Sequence, residues 1–384
     1  MPVSAHPFGL TEHQRLIRES VLPLVEAAMP RERMQEMDEA REFPFEAYAE
    51  LARAGWMGLP HEAAYGGADG SFKDLSVFVE ILAYHSAQLA SAYLTTVIYG
   101  GMQVRNAASH ALKQELIPAL IAGDLRLALC ITEPDAGSDV SSIATTARQA
   151  GDDFIIDGQK VYITCAHVAH KLVVATKTDR DAGHKGISLF LVDVTSPGLS
   201  IRPLKGLGRR MIHTNEIFFD AVRVPASRML GELNGGWRNL MRGLNLERLC
   251  LSASACGNMA RIIDDARGFA LERKQFGKPI SSYQAIAHKF ADMQLMLESA
   301  RAMTYRVADM LDAGVDPAME TAIAKVLATE NNSRCADMGI QILGGAGYMM
   351  EHHMQMYFRD ARVGTIGGGT SEIMRSVIAR QMGL

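Results

Sequence analysis

From Thr11 to about Gly123 apolar residues recur at helical spacing, in weakly amphipathic runs broken at Pro30, Pro44, Pro60 and the Gly66-Gly67 turn. Thr11, followed by Glu12, and Pro44 are residue types that open helices, and they mark two of the predicted starts. Near Leu125 the period changes. Arg126 to Thr132, Thr145 to Ala150, Asp153 to Ile156, Gln159 to Thr164, Lys171 to Thr176, Ile187 to Val194 and Glu216 to Val224 are β-branched or alternating, and turn formers bound them. Asp157-Gly158, between Phe154-Ile155-Ile156 and Lys160-Val161-Tyr162, predicts a hairpin, since a type I′ turn needs positive φ. Short strands so spaced predict an antiparallel unit without βαβ repeats. After Pro225 helical periodicity returns over Gly235 to Lys278, Ser282 to Ala313, Pro317 to Gly339 and Thr370 to Arg380, with short connections as in a helical bundle. The expected fold class is α+β in three units: an N-terminal α-helical domain (1–124), a middle antiparallel β domain (125–230) and a C-terminal four-helix bundle (231–384).

The long run Gly235 to Lys278 holds one anomaly. Leu240, Leu244, Leu251 and Ala255 fall on one helical stripe, and Glu247 falls on it too. No basic residue stands three or four positions away to pair with it. Glu247 is therefore either solvated at a gap in the packing or held in an apolar place for a chemical purpose. In the N-terminal part Tyr93, Leu94, Val97, Ile98 and Met102, set among small residues, suit an apolar pocket or plain core packing.

Composition narrows the classes. With 384 residues, 48% apolar and 21% charged, the chain reads as an ordinary globular enzyme. A formal charge of −4 gives no general attraction to nucleic acid or an anionic membrane. The five cysteines, odd in number and scattered, suggest neither a disulfide framework nor a metal site, and read as core fillers in a reducing cytosol. Met1 to Ser20 has no apolar leader core, and no uninterrupted apolar run is long enough to span a bilayer, so a cytoplasmic location without membrane contact is expected.

Leu129-Cys130-Ile131-Thr132-Glu133-Pro134-Asp135-Ala136-Gly137-Ser138-Asp139 is a strand stopped by Pro134 and followed by a tight turn whose N–H groups suit an anion such as phosphate. It is followed in order by Lys160-Val161-Tyr162-Ile163-Thr164, Glu272-Arg273-Lys274-Gln275-Phe276-Gly277-Lys278, Gln341-Ile342-Leu343-Gly344-Gly345-Ala346-Gly347-Tyr348, and Phe358-Arg359-Asp360-Ala361-Arg362 running into Ile366-Gly367-Gly368-Gly369-Thr370-Ser371-Glu372-Ile373. In this order and at these separations the motifs closely resemble the acyl-CoA dehydrogenase family over essentially the whole chain. No GxGxxG stands between a strand and a helix; the family binds FAD without one.

The resemblance implies a site. Leu129, Ile131, Thr132, Ser138, Tyr162 and Thr164 match the family's flavin contacts; Arg273, Phe276 and Gln284 match positions that reach FAD held mainly by a neighbouring subunit; Gln341, Gly345, Thr370 and Glu372 match pyrophosphate and adenosine contacts. A guanidinium fork at Arg273 suits a pyrophosphate. Ser138, Asn245, Arg248 and Gly369 are the implied substrate contacts, and Tyr93, Leu94, Ile98 and Met102 the candidates for shaping the acyl pocket. Two positions depart from the pattern. Tyr162 stands where the family more often has Trp, and Gly368 where many members carry the catalytic glutamate. A glycine cannot take a proton. Branches that include the long-chain and isovaleryl-CoA dehydrogenases carry the base on the long helix, one residue before an arginine, and here that residue is Glu247, ahead of Arg248.

The implied activity is FAD-dependent α,β-dehydrogenation of an acyl-CoA to a trans-2-enoyl-CoA, with Glu247 as the α-proton base and the β-hydrogen passing as hydride to flavin N5. The backbone N–H of Gly368 and a flavin hydroxyl would polarise the thioester carbonyl. An electron-transfer flavoprotein is the implied acceptor and a homotetramer of paired dimers the implied assembly. Alternatives are an enoyl-CoA reductase of the crotonobetainyl-CoA type, an acyl-CoA oxidase and, most remotely, a flavin-bearing nucleic-acid-binding protein.

Overall fold

The computed structural model of the chain describes residues 9 to 384, so the first part of the leader reading lies outside the described residues. Thr11 opens the first helix by a reciprocal cap: its hydroxyl accepts from the Gln14 N–H at 3.2 Å, and the Gln14 side chain accepts from the Thr11 N–H at 3.1 Å. Among the described residues, seven α-helices form the N-terminal part: α1 (Glu12–Ala28), α2 (Arg31–Ala40), α3 (Phe45–Arg53), α4 (Phe72–His85), α5 (Ala87–Leu94), α6 (Gly101–Ala107) and α7 (His110–Ile121). Between α5 and α6 the chain winds as a π-helix over Thr95–Gly100, which moves the following residues round the axis relative to an α-helical reading.

The middle part is one eight-stranded sheet of β1 (Leu127–Cys130), β2 (Thr146–Ala150), β3 (Asp153–Thr164), β4 (Lys171–Lys177), β5 (Ile187–Asp193), β6 (Leu199–Leu204), β7 (Thr214–Pro225) and β8 (Met229–Leu230). The order is β6-β7-β3-β2-β4-β5-β8, with β1 paired to β4. Most neighbours are antiparallel, while β1 and one residue pair of β2 run parallel to β4. The Asp157-Gly158 hairpin is corrected: β3 runs through both residues, and the turn lies at Gly151, φ +67, between β2 and β3. Gly158 is needed for another reason. At φ +148 it marks a bulge against β7, and an added Cβ would stand 2.5 Å from Thr145 Oγ1. β6, unmarked by alternation, carries Pro203 at the sheet edge, where a missing N–H costs no ladder bond.

The C-terminal part comprises α8 (Gly236–Glu272), the small hairpin β9 (Lys274–Gln275) and β10 (Lys278–Pro279), α9 (Gln284–Asp312), α10 (Ala318–Leu343), α11 (Gly345–Tyr348), α12 (His353–Ala361) and α13 (Ser371–Gln381). The expected order of helical, β and helical parts is thus the observed one. Buried ion pairs lock the parts together. Arg301 on α9 donates to Glu80 on α4 at 2.8 and 3.1 Å, with Tyr305 adding a bond to the same carboxylate, and Arg359 on α12 meets Asp38 on α2 at 2.6 Å. All five cysteines are free and buried. Among the described residues no helix is long and apolar enough to cross a membrane.

Candidate active site

Three turns into α8, Leu240, Leu251 and Ala255 are buried as the stripe requires, and Glu247 is half-buried between them. Across from it runs the loop into α13. Gly368 there has φ +66, and a Cβ added to it would lie 3.5 Å from Glu247 Oε1 and 2.4 Å from Leu251 Cδ1. The carboxylate of α8 therefore occupies the space before Gly368 that a side chain at that position would enter. Burial pushes the Glu247 carboxyl up to about 7, while Arg248 and Lys325 pull it partly back. Neither cation hydrogen-bonds it: Arg248 Nε donates to the Gly368 carbonyl at 3.2 Å, and Lys325 Nζ to the Gly369 carbonyl at 2.6 Å.

Several neighbours escaped the sequence reading. Tyr99, within the π-helix, has its phenol pushed up by burial and then by the nearby Glu247 charge. The extra residue of a π-turn hides this from i, i+4 counting. Gln103 on α6 is 3% exposed with its carbonyl oxygen unpartnered, and it packs where Gly243 of α8 has no Cβ. Lys325 carried a signal, a lone lysine in the apolar run Ala322 to Ala328. Of the residues expected to shape a pocket, Tyr93, Leu94 and Ile98 are core: Tyr93 packs on Phe78 and donates to the Trp56 carbonyl. Met102 lines a cleft of about 920 Å³ together with Arg105, Trp237, Arg242 and Asn245. Asn245 also donates to Asp316 at 3.2 Å. Gly243, one helical turn before Glu247, lines the same cleft, so the cleft runs along the start of α8 to the turn that precedes the carboxylate.

At the end of β1, Leu129, Ile131 and Thr132 are half-buried, and Ser138 is exposed beyond a turn closed by the Glu133 and Ala136 backbones. The turn stands on a buried pair. Lys160, fully buried on β3, donates to Glu133 at 2.7 Å and to the Ile131 carbonyl at 2.8 Å, and Glu133 accepts the Thr145 N–H at 3.0 Å. The Lys160 ammonium holds the Glu133 carboxyl below its usual value against the opposing effect of burial. The Val161 N–H donates to the Thr132 carbonyl at 2.9 Å, which sets Tyr162 beside Thr132. Tyr162 sits on a second bulge at φ +61 with 67% of its surface exposed, and Thr164 ends the strand. Thr370 caps α13 by accepting the Ile373 N–H at 3.2 Å, and Glu372 is exposed in the first turn.

Arg273, Phe276 and Gln284 lie elsewhere. Arg273 follows α8, twenty-six residues beyond Glu247 and so about 39 Å along the axis. Phe276, at the tip of the β9–β10 hairpin, is 96% exposed; Gln284 begins α9, and Gln341 at the end of α10 and Gly345 at the start of α11 are exposed. The structure thus brings Glu247, Gly368, Gly369, Arg248 and Thr370 together and sets the Arg273 group apart. An exposed aromatic face on a bulge, with hydroxyls of Thr132, Thr164 and Ser138 along the same strand ends, is a donor set that fits a flavin ring and its polar edge.

The chain matches the acyl-CoA dehydrogenase N-terminal domain over residues 11–124, the middle domain over 128–222 and the C-terminal domain over 234–383. It is 35% identical to a probable acyl-CoA dehydrogenase of Bacillus subtilis (strain 168), covering 98% of this chain and 99% of the relative. It is 34% identical to the CarC subunit of a caffeyl-CoA reductase-Etf complex from Acetobacterium woodii, over 96% of this chain and 98% of that one. The FAD complex of PigA superposes with a TM-score of 0.93 at 28% identity, covering 99% of this chain and 100% of the other. Conserved architecture over the full length, with FAD in a solved relative, leaves one conclusion: the chain belongs to the acyl-CoA dehydrogenase family and is an FAD-dependent oxidoreductase acting on CH–CH bonds of acyl-CoA thioesters.

Proposed function

We propose that Glu247 is the base of an acyl-CoA α,β-dehydrogenation, and that the chain belongs to the branch carrying this base on the long helix. The observation that carries the reading is the Glu247 carboxylate 3.5 Å from the point where a Gly368 Cβ would stand. A carboxyl titrating at about 7 has enough basicity to remove a proton made acidic by an adjacent thioester, and enough ionised population at neutral pH to do so. Glu247 takes the α-proton onto its carboxylate while the C–H electron pair becomes the new Cα–Cβ π bond. The Gly368 N–H meets the thioester oxygen as negative charge gathers there, and needs no side chain to do so. Leu251 and the buried stripe cover part of the carboxylate, and a bound acyl chain would exclude the remaining water. FAD, when bound, supplies the acceptor for the β-hydrogen and its electron pair. Leu129, Ile131, Thr132, Ser138, Tyr162 and Thr164 would hold its flavin half, and Thr370 and Glu372 with Gln341 and Gly345 its pyrophosphate and adenosine half.

Ser138, Asn245, Arg248 and Gly369 are the substrate contacts of the same reading, with Met102 shaping the entrance. The family resemblance suggests a homotetramer of paired dimers; Arg273 and Phe276 beyond the end of α8 and Gln284 at the start of α9 lie too far from Glu247 to serve that site of their own chain, which calls for at least a dimer. The electron partner is an electron-transfer flavoprotein, by analogy with the Acetobacterium complex. Buried free cysteines suit a cytoplasmic location, and the working units remain 1–124, 125–230 and 231–384.

Exchange of the α-proton in deuterated water tests the base. With a 3-thiaacyl-CoA bound, a thioester whose β-position is sulfur and which cannot be dehydrogenated, the wild-type holoenzyme should wash deuterium into the α-carbon and Glu247→Gln should not; equal exchange by both would remove Glu247 from the chemistry. A second reading is favoured by the reductase name of the Acetobacterium relative. A protonated Glu247 delivers the proton to Cα when the reaction runs toward the saturated thioester. A bound-flavin potential well below that of the acyl/enoyl couple would assign that direction.

A further inference from the structure

We propose that Lys325 is a positioning residue which, together with Arg248, clamps the Gly368-Gly369 turn opposite the catalytic carboxylate. The inference rests on the Glu247 reading above. Lys325 is fully buried on α10, between Ala322 and Ala328, where a lysine adds nothing to packing that an apolar residue would not add better. Its Nζ donates to the Gly369 carbonyl at 2.6 Å, and from α8 the Arg248 Nε donates to the Gly368 carbonyl at 3.2 Å. Two cations from two helices thus hold two successive carbonyls. In a trans peptide the C=O and the following N–H are fixed in one plane, so the tethers fix the Gly368–Gly369 and Gly369–Thr370 peptides, with the Gly369 and Thr370 amides in them, and limit rotation of the residue whose own N–H meets the thioester oxygen, Gly368.

The turn needs such a device. Gly368 and Gly369 have φ of +66° and +95°, and glycine pairs are the residues least able to hold a conformation by their own sterics. Side chains at either position would stiffen it but would strike Leu251 or Met374. Among the groups around Glu247, Arg248 and Cys250 come from its own helix, Tyr99 from the π-helix and Lys325 from α10. Among the described residues that act on Glu247, Lys325 is a cation contributed from outside α8, and its field favours the ionised carboxylate as well as fixing the turn.

The test uses FAD-loaded Lys325→Ala and Lys325→Met, with unchanged FAD content and circular dichroism as the sign of a folded chain. In stopped-flow anaerobic reduction by butyryl-, isovaleryl- and 3-phenylpropionyl-CoA, the rate constant should fall by about tenfold to a hundredfold with little change in apparent KM, the pattern of a lost transition-state contact. The acid limb of the pH profile should move to higher pH, because the carboxylate has lost a favourable charge. Propylammonium should restore rate to Lys325→Ala, and propanol should not. A wild-type rate with an unmoved limb, or a loss wholly in KM, overturns the inference. Amide hydrogen exchange without substrate reads the clamp itself: Gly369 and Thr370 should exchange faster in both variants, and unchanged exchange also overturns it. Should the wild type reduce with none of these thioesters, or Glu247→Gln reduce normally, it is the proposed function that fails, and the exchange experiment still decides the clamp.

Discussion

A half-buried carboxylate with a raised pKa is a cost to the fold, and that cost is measurable at Glu247. Its folded pKa of about 7 lies above the ordinary 4.5, so its contribution to stability is fully present below the unfolded value and is lost as pH rises through about 7. Glu247→Gln should accordingly melt a few degrees above wild type on the alkaline side of neutrality and at the same temperature in mild acid, read by thermal unfolding at the two pH values. Activity has the opposite sign. Proton removal needs the carboxylate, so kcat/KM should fall about tenfold for each pH unit below the Glu247 pKa. Gly368 sets a separate constraint. A Cβ there meets Leu251 Cδ1 at 2.4 Å and sits at positive φ. Gly368→Ala should cost about 1–3 kcal/mol in denaturant unfolding, and adding Leu251→Ala should return the packing part but not the backbone strain.

Among the elements, helices were the most legible. The stripe Leu240, Leu244, Glu247, Leu251 and Ala255 could be read because 3.6-residue periodicity survives wherever one face is buried, and α8 buries most of its second half. The π-helix at Thr95–Gly100 escaped the same count, and Tyr99 with it, because one added residue per turn rotates the face without changing composition. Asp157-Gly158 misled for a related reason: a bulge and a hairpin both call for glycine, and only the partner strand distinguishes them. The Glu133–Lys160 pair had no local signal, since its members are twenty-seven residues apart and meet only once β1 and β3 are in place. Removing one member should show how much the flavin-side turn depends on it. Lys160→Met leaves Glu133 buried without its cation and should lower stability by about 3–5 kcal/mol in a denaturant melt, with loss of FAD before the protein unfolds.

For the whole molecule, the motif order made the three-part architecture and the cofactor class readable, while the geometry of the site had to come from the fold. Gly368 named a missing base and Glu247 an unexplained one, yet only packing of α8 against the loop before α13 puts them face to face. Arg273 and Phe276, at the far end of α8, carry the assembly into the argument. Phe276→Ser and Arg273→Ala should each weaken FAD retention by tenfold or so and shift the sedimentation profile toward smaller species with loss of cofactor, whereas an assembly unrelated to FAD would leave cofactor binding untouched. All of this serves one chemical assignment, and anaerobic flavin bleaching by acyl-CoA tests it most directly. If Glu247 is the base, wild-type holoenzyme bleaches with the acyl-CoA it accepts, and Glu247→Gln, with full FAD content and unimpaired thioester binding, is slower by about a hundredfold to ten-thousandfold. Bleaching of the variant at the wild-type rate would contradict the account.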